Sequence, residues 1–477
     1  MSIKKTIGLL VGDESDWPPT LEALMRRVGP EVKYKGKSYE VEVRRMRIDP
    51  FSLRDPSRSD VIIDRLSYWH FAPREWLKKV ALLNGTYLLN NPFTFQAMEK
   101  HSAYCAAIRL GLNIPDTWLI PQKSAPEGYQ EKYERTAERY HNLFNLGQIG
   151  ESIGYPLFMK PFDGGGWREV TQVKDKEALY KAYDESGQSL MHLQAGVADY
   201  DVFCRSLAIG PQVINLKFRP DQPQHARYEV SHGFLSEKEG REVRITNKLI
   251  NAFFRWDFNS CETIHKDGQI YPIDFANACP DIAVNSLHYY YPWAIKALLS
   301  WSVFCAVSGR DMEIALNPKP YFEIADSDMP FDDKLTAYEK LVDAHFQREE
   351  FEAWRQTEFA HVDDAMLDLV ESTEFEQILE TTVAEVFPKG EQVSFYNHFH
   401  GLIRHWAETQ RPAPVDASTA EPSAAAAAAK PAQAQAAPAP QTATAKAAPA
   451  KTEAPKAKAQ AQGKKGSSKK SGSKKGK

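Results

Sequence analysis

Apolar and polar positions follow two periods along this chain, and the switches between them mark its elements. Thr6–Val11 is an apolar run, and Thr20–Val28 carries Leu21, Leu24 and Met25 at helical spacing. Val41–Ile48 alternates as a strand, Asp60–Asp64 reads as a short buried strand, Trp76–Asn84 as a helix and Thr86–Leu89 as a strand. Strands alternating with helices predict a parallel sheet in residues 1–95. Pro126–Asn145, rich in Glu, Tyr and Arg, predicts a helical insertion, and Tyr155–Val173 runs strand, glycine loop, strand. Ile214–Arg219 alternates again, so Asn215, Lys217 and Arg219 share one strand face. Two further runs, Ser260–His265 and Gln269–Phe275, flank Lys266-Asp267-Gly268, and an Asp-Gly pair in that place predicts a hairpin. Trp293–Val307 is apolar but short, with Lys296 and two serines inside it, so it reads as a buried helix. Leu335–Trp354 and Asp363–Val383 keep helical spacing.

From residue 411 the pattern dissolves into Ala, Pro, Lys, Gln and Ser. Without aromatic residues it cannot bury a core, and it is expected to be disordered. The tail holds 13 Lys and Arg against three Asp and Glu, in a chain of net charge −4, so an acidic body precedes a basic tail. That tail is either an electrostatic arm for a polyanion such as nucleic acid or a solubilising tether. The five cysteines are dispersed with no C-x-x-C pair, which suggests reduced thiols and a cytoplasmic setting. Met1–Lys5 is polar and Ile7–Val11 too short for a secretory core, so no signal peptide and no membrane association are expected.

The candidate chemistry starts at the hairpin. Glu262 lies on one strand and Asp274 near the end of the other, with Asn277 three residues on. Two carboxylates and an amide oxygen on neighbouring strands can converge on hard divalent cations, which share oxygen ligands with substrate phosphates. The alternative is a surface hairpin with solvated acids. Upstream, Lys160 ends an apolar run, and Gly164, Gly165 and Gly166 form a loop whose N–H groups can approach an anion closely. Such glycine runs are also ordinary turns. Cys261 and Cys279, which flank the acids, read as packing residues because hard cations prefer oxygen.

Together these segments resemble the ATP-grasp superfamily, whose members include D-alanine–D-alanine ligases, glutathione synthetases and ligases that add glutamate to ribosomal protein. The resemblance spans roughly residues 5–310. Asn91–Pro121 is similar to the family's first lysine segment, with Lys100 at the lysine. Ile153–Gly166 is similar to the second, with Lys160. Leu193-Gln194-Ala195-Gly196 looks like the hinge that bonds adenine, and Asp201 resembles the acid that holds the ribose. In a second register Phe203 takes that place and Arg205 matches an arginine of the ribosomal-protein branch. Glu262, Asp274 and Asn277 match the metal triad, but two residues separate Asp274 from Asn277 where the family's pattern has one. A bulge can absorb the extra residue.

The resemblance implies an α/β (α+β) fold: a Rossmann-like domain over 1–95, an ATP-grasp small lobe over 96–195 and a large lobe over 196–310. A helical region follows over 311–410, packed on the core or forming an oligomer face, and then the tail, 411–477. It implies ATP and two Mg²⁺ ions, or Mn²⁺ in their place, as cofactors. The reaction implied is carboxylate–amine ligation: an acid takes the γ-phosphoryl group, ADP leaves, and an amine attacks the acylphosphate. Lys100, Lys160, the three glycines, Gln194 and Asp201 would hold the nucleotide. Arg205, Lys217 and Arg219 would stabilise the reacting charge, with Arg244, Lys248 and Arg255 as weaker candidates. Small-molecule or peptide acids and amines would be the partners, and a homo-oligomer is compatible with it. Two alternatives stand beside this: a kinase of the same fold that stops at phosphoryl transfer, and an ATP-binding scaffold with a polyanion-binding tail. His288, in an aromatic run, is either a substrate contact or a packing residue.

Overall fold

The computed structural model describes residues 2–94, 99–125, 128, 131–132, 135–136, 139, 144–163, 169–277 and 279–411. Twelve of the twenty positions expected to form the 126–145 helical insertion, together with the glycine loop 164–166 and the tail beyond 411, lie outside the described residues. The described residues belong to one compact unit, Met1–Ala413.

The first sheet is built from β1 (Ile3–Leu10), β2 (Glu31–Tyr34), β3 (Lys37–Arg45), β4 (Val61–Asp64) and β5 (Tyr87–Leu89), in the order β2-β3-β1-β4-β5. β3, β1, β4 and β5 run parallel, as the strand–helix alternation predicts. β2 is an addition that the sequence pattern did not reveal. It pairs antiparallel with β3 across Lys35-Gly36, whose φ angles of 47° and 74° are both positive, the twist a two-residue hairpin needs. Helix Trp17–Val28 lays Leu21, Leu24 and Met25 into the core, and Asp16 accepts from the Trp17 N–H at its start.

The second sheet, four-stranded, comprises β6 (Thr117–Ile120), β7 (Leu157–Pro161), β8 (Thr171–Val173) and β9 (Met191–Ala195) in the order β6-β9-β7-β8. Helices Leu146–Ile153 and Lys176–Ser186 pack Leu146 and Leu179 against Leu157, Val173 and Leu193 in a small core of its own.

The third sheet is antiparallel: β10 (Val202–Ile209), β11 (Gln212–Phe218), β12 (Tyr228–Glu229), β13 (Phe258–Lys266) and β14 (Gln269–Asn277), ordered β12-β11-β10-β13-β14. The predicted hairpin is β13–β14, and its turn residues Asp267 and Gly268 have φ of 51° and 72°. Helix Glu237–Phe254 covers one face, started by a reciprocal cap between Ser236 and Glu239.

Helix Tyr291–Ser308 is buried nearly all round, which is why its apolar run shows no stripe. No described helix is long and apolar enough to cross a membrane. Residues 319–410 are helical, and they pack on the body. Arg27 pairs with Glu374, Trp354 donates to the Lys33 carbonyl at 2.9 Å, and Arg241 of helix Glu237–Phe254 pairs with Glu339.

Candidate functional site

The hairpin places its two acids opposite each other. Glu262 and Asp274 are cross-strand partners in the β13–β14 register, so both side chains leave the same face. Ser260 pairs with Asn277, so two residues of β14, Phe275 and Ala276, stand opposite Cys261 alone. This bulge absorbs the extra residue in the Asp-Phe-Ala-Asn spacing and returns Asn277 to the ladder. Asn277 donates its Nδ2 to Ser260 at 3.1 Å, and the amide oxygen is the atom that remains for a cation.

Arg205 on β10 is the cross-strand partner of Glu262 on the other side. Its guanidinium is 3.6 Å from the Glu262 carboxylate and donates to Ser260 at 3.1 Å. It also lies against the Phe218 and Tyr228 rings. Burial raises the Glu262 carboxyl above its ordinary range; Arg205 opposes this, Asp274 adds to it, and Lys160 and Lys100 oppose it.

Two lysines approach this face from outside the sheet. Lys100 begins helix His101–Arg109 and sits 3.9 Å from Asp274. Lys160 of β7 donates to the Gln194 side-chain oxygen at 2.7 Å and approaches the Ile273 carbonyl at 3.4 Å. Its ammonium is buried and has no carboxylate partner among the described residues. Burial first, then repulsion from Lys100, lowers its pKa to about 8, with Asp274 and Glu262 resisting. Beside them burial takes the His192 imidazole down to about 4, and the neighbouring His101, Lys100 and Lys160 act in the same direction.

Solved structures similar to this chain run to ATP-grasp ligases. The D-alanine–D-alanine ligase of Bacillus anthracis complexed with ATP is 13% identical, with 64% of this chain and 98% of that one covered at a TM-score of 0.44. The RimK domain ATP-grasp protein of Sphaerobacter thermophilus is 12% identical, covering 62% and 99% at a TM-score of 0.41. The macrocyclase MdnC of Microcystis aeruginosa, bound with precursor peptide MdnA, is 12% identical, covering 63% and 99% at 0.40. No protein-family model matches the chain, and no curated protein matches it.

Other expected site residues are placed elsewhere. Arg205 pairs with Leu216, so Leu216 and Phe218 share the face of the acids, and Lys217 lies on the opposite one. Asn215, on the face of Lys217, donates to the Gly240 carbonyl of the covering helix. Lys217 pairs with Glu229 at 2.8 Å, and Arg219 with Glu229 and Asp221. The structure therefore does not bring Lys217 and Arg219 to the carboxylate pair. Lys248 and Arg255 are likewise engaged, by Asp343 and Glu313.

Asp201 accepts from the Asp267 N–H at 3.1 Å, so it ties down the hairpin turn. Gln194 turns its side chain inward, between Lys160 and the Thr117 hydroxyl. Cys261 is buried with its thiol pushed well up, and burial takes Cys279 up to about 12, as suits thiols that pack. His288 is buried under helix Gln392–Gln410 near His398. Sequence reasoning missed Tyr104, one turn after Lys100, which donates to the Ile273 carbonyl at 2.9 Å. It also missed Asn259, which bridges the bulge. Pro272, a residue without an N–H in the middle of a strand pattern, was the available signal of irregular pairing there.

Proposed function

We propose that this protein is an ATP-dependent ligase that joins a carboxylic acid to an amine. The supporting observation is the Lys160 ammonium: buried, without a carboxylate partner among the described residues, and 3.4 Å from the carbonyl of Ile273, the residue before Asp274. A buried cation in that state is stabilised by an anion that enters. A polyphosphate satisfies Lys160 and Lys100 together, while Glu262, Asp274 and the Asn277 oxygen supply hard donors on the facing strands. Two acids and one amide suit Mg²⁺ shared with phosphate oxygens, and no group of three His, Cys, Asp or Glu side chains forms an independent cage among the described residues. Mg²⁺ bound there would neutralise charge on the transferring phosphoryl group.

The chain's residues then divide the work. Lys100 and Lys160 orient the phosphates. Arg205, fixed against Glu262 and two rings, presents a permanent positive charge on the same face, suited to stabilising the acylphosphate and the oxyanion formed when an amine attacks it. In the first step a carboxylate oxygen bonds to the γ-phosphorus and ADP leaves. In the second the amine nitrogen bonds to the acyl carbon, phosphate leaves, and the nitrogen loses a proton. The test is ADP release from ATP and Mg²⁺ across pairs of carboxylic acids and amines. Release that requires both partners supports the ligase; release with the acid alone marks a phosphoryl transferase; no release with any pair removes the reading.

A further inference from the structure

β14 breaks regular pairing on both sides of Asp274. Beyond the bulge at Phe275 and Ala276, a second one lies before the acid: Thr263 pairs with Pro272 and Glu262 with Asp274, so Ile273 has no partner on β13. Each bulge leaves backbone groups without their ladder bonds, and buried ones need substitutes.

The two are closed differently. Asn259 closes the later one from within the sheet: its Nδ2 donates to the Phe275 carbonyl at 2.9 Å and its Oδ1 accepts the Asn277 N–H at 2.8 Å. At Ile273 the sheet has nothing comparable, since β14 is its edge and Pro272 lacks a donor. The Ile273 carbonyl is instead held from outside, by the Tyr104 hydroxyl at 2.9 Å and Lys160 at 3.4 Å. Tyr104 is buried and set edge-on against His192 and Phe275, with ring centroids 5.5 Å away in each case. Lys160 has the poorer geometry of the two holders and is also the residue that a phosphate would recruit.

We propose that Tyr104 is a positioning residue whose hydroxyl fixes the Ile273 bulge and thereby keeps Asp274 opposite Glu262. This rests on the ligase reading for its purpose, though not for its geometry. Once nucleotide draws Lys160 toward the phosphates, Tyr104 is the remaining holder of that carbonyl. The effect of removing its hydroxyl therefore concentrates in the state with metal and nucleotide bound.

The full-length Tyr104→Phe variant tests this, with ADP as the nucleotide and Mn²⁺ as the cation. Metal-free ADP affinity should stay within about twofold, while the tightening of ADP binding by Mn²⁺ weakens about tenfold, the worth of one buried hydrogen bond. Amide exchange over 269–277 should quicken, with helix His101–Arg109 still protected. A purely structural loss would instead lower both ADP affinities together. Unchanged exchange over 269–277 overturns the proposal, whether or not the native chain binds nucleotide; a native chain that binds none overturns the ligase reading separately. Lys160→Met is the second probe: exchange over 269–277 should remain slow because Tyr104 still holds the carbonyl. If Lys160→Met alone frees the segment, Tyr104 is not the holder.

Discussion

The third sheet has two polar edges that look alike in sequence and differ in what surrounds them. At one edge β14 carries Asp274 opposite Glu262, facing Lys100 and Lys160. At the other, β11 and β12 carry Lys217 and Glu229, paired with each other on the opposite face. Both segments alternate with period two. Alternation says which residues share a face, but not which face meets Lys100 and Lys160; that depends on where helix Glu237–Phe254 packs. The contrast also shows in electrostatics. The Glu262 carboxyl is buried and raised, whereas Lys217 keeps an exposed partner.

The contrast breaks most visibly at Asp274. Asp274→Asn removes one of two carboxylates while keeping shape, and the side chain is 36% exposed, so the fold should survive. ADP release should fall by roughly a thousandfold or more, with the melting temperature nearly unchanged. Turnover within about threefold of native would remove the metal assignment.

Next comes Arg205. Arg205→Met keeps the packing on Phe218 and Tyr228 but leaves Glu262 buried beside Asp274 without its guanidinium. Such an orphaned charge should cost about 3–5 kcal/mol in urea unfolding. Adding Glu262→Gln should recover much of it, because the charge then vanishes. Additive losses in the double variant would show that the two side chains are not coupled.

Much of this was legible. Asp267-Gly268 between alternating runs gave the hairpin, but its regular register would set Glu262 opposite Ile273, and only the bulge there brings Asp274 opposite Glu262. Lys100 and Arg205 do meet the acids, and Lys160 meets the Ile273 carbonyl beside them. The parallel order of the first sheet followed from its strand–helix rhythm. What stayed hidden depended on tertiary partners. Lys217 was assigned by face without knowing the covering helix. Gln194 and Asp201, expected at the nucleotide, have partners that the sequence does not reveal: one bonds Lys160 and the other the hairpin turn. β2 went unseen because Lys35-Gly36 is a charged, weak version of a hairpin signal. Tyr104 has no local signature at all: its role exists only because β14 bulges where the helix after Lys100 passes.

The connections that follow the two edges meet again, which allows a smaller effect to be predicted. His225, between β11 and β12, and His288, after β14, both approach His398 of helix Gln392–Gln410, with ring centroids 6.5 and 6.4 Å from it. Burial, then His398 and His225, takes His288 down to about 4, against a bond to Tyr228. Burial lowers His225 and His398 as well, with Glu391 opposing at His225. A histidine with a depressed folded pKa binds fewer protons folded than unfolded. Stability should therefore be full above about pH 6.5 and decline toward pH 4, by on the order of 3 kcal/mol for His288. His288→Gln should flatten that decline in urea titrations; an unchanged slope would place the acid sensitivity elsewhere.

The smallest expected effect is the sharpest check on the contrast itself. Lys217→Ala removes an ammonium paired with a half-exposed Glu229 on the face away from the acids. An exposed ion pair contributes about 0–1 kcal/mol, so stability should barely move, and ADP release should stay within about threefold of native because no substrate charge faces this side chain. Arg219→Ala, whose partners Asp221 and Glu229 are also half-exposed, should behave the same way. Salt provides the control: raising ionic strength should erase the small stability loss of Lys217→Ala, since exposed pairs are screened, yet leave the Arg205→Met loss largely in place. A hundredfold drop in turnover for Lys217→Ala would mean that this edge of the sheet also faces substrate, and the division between the two edges would fail.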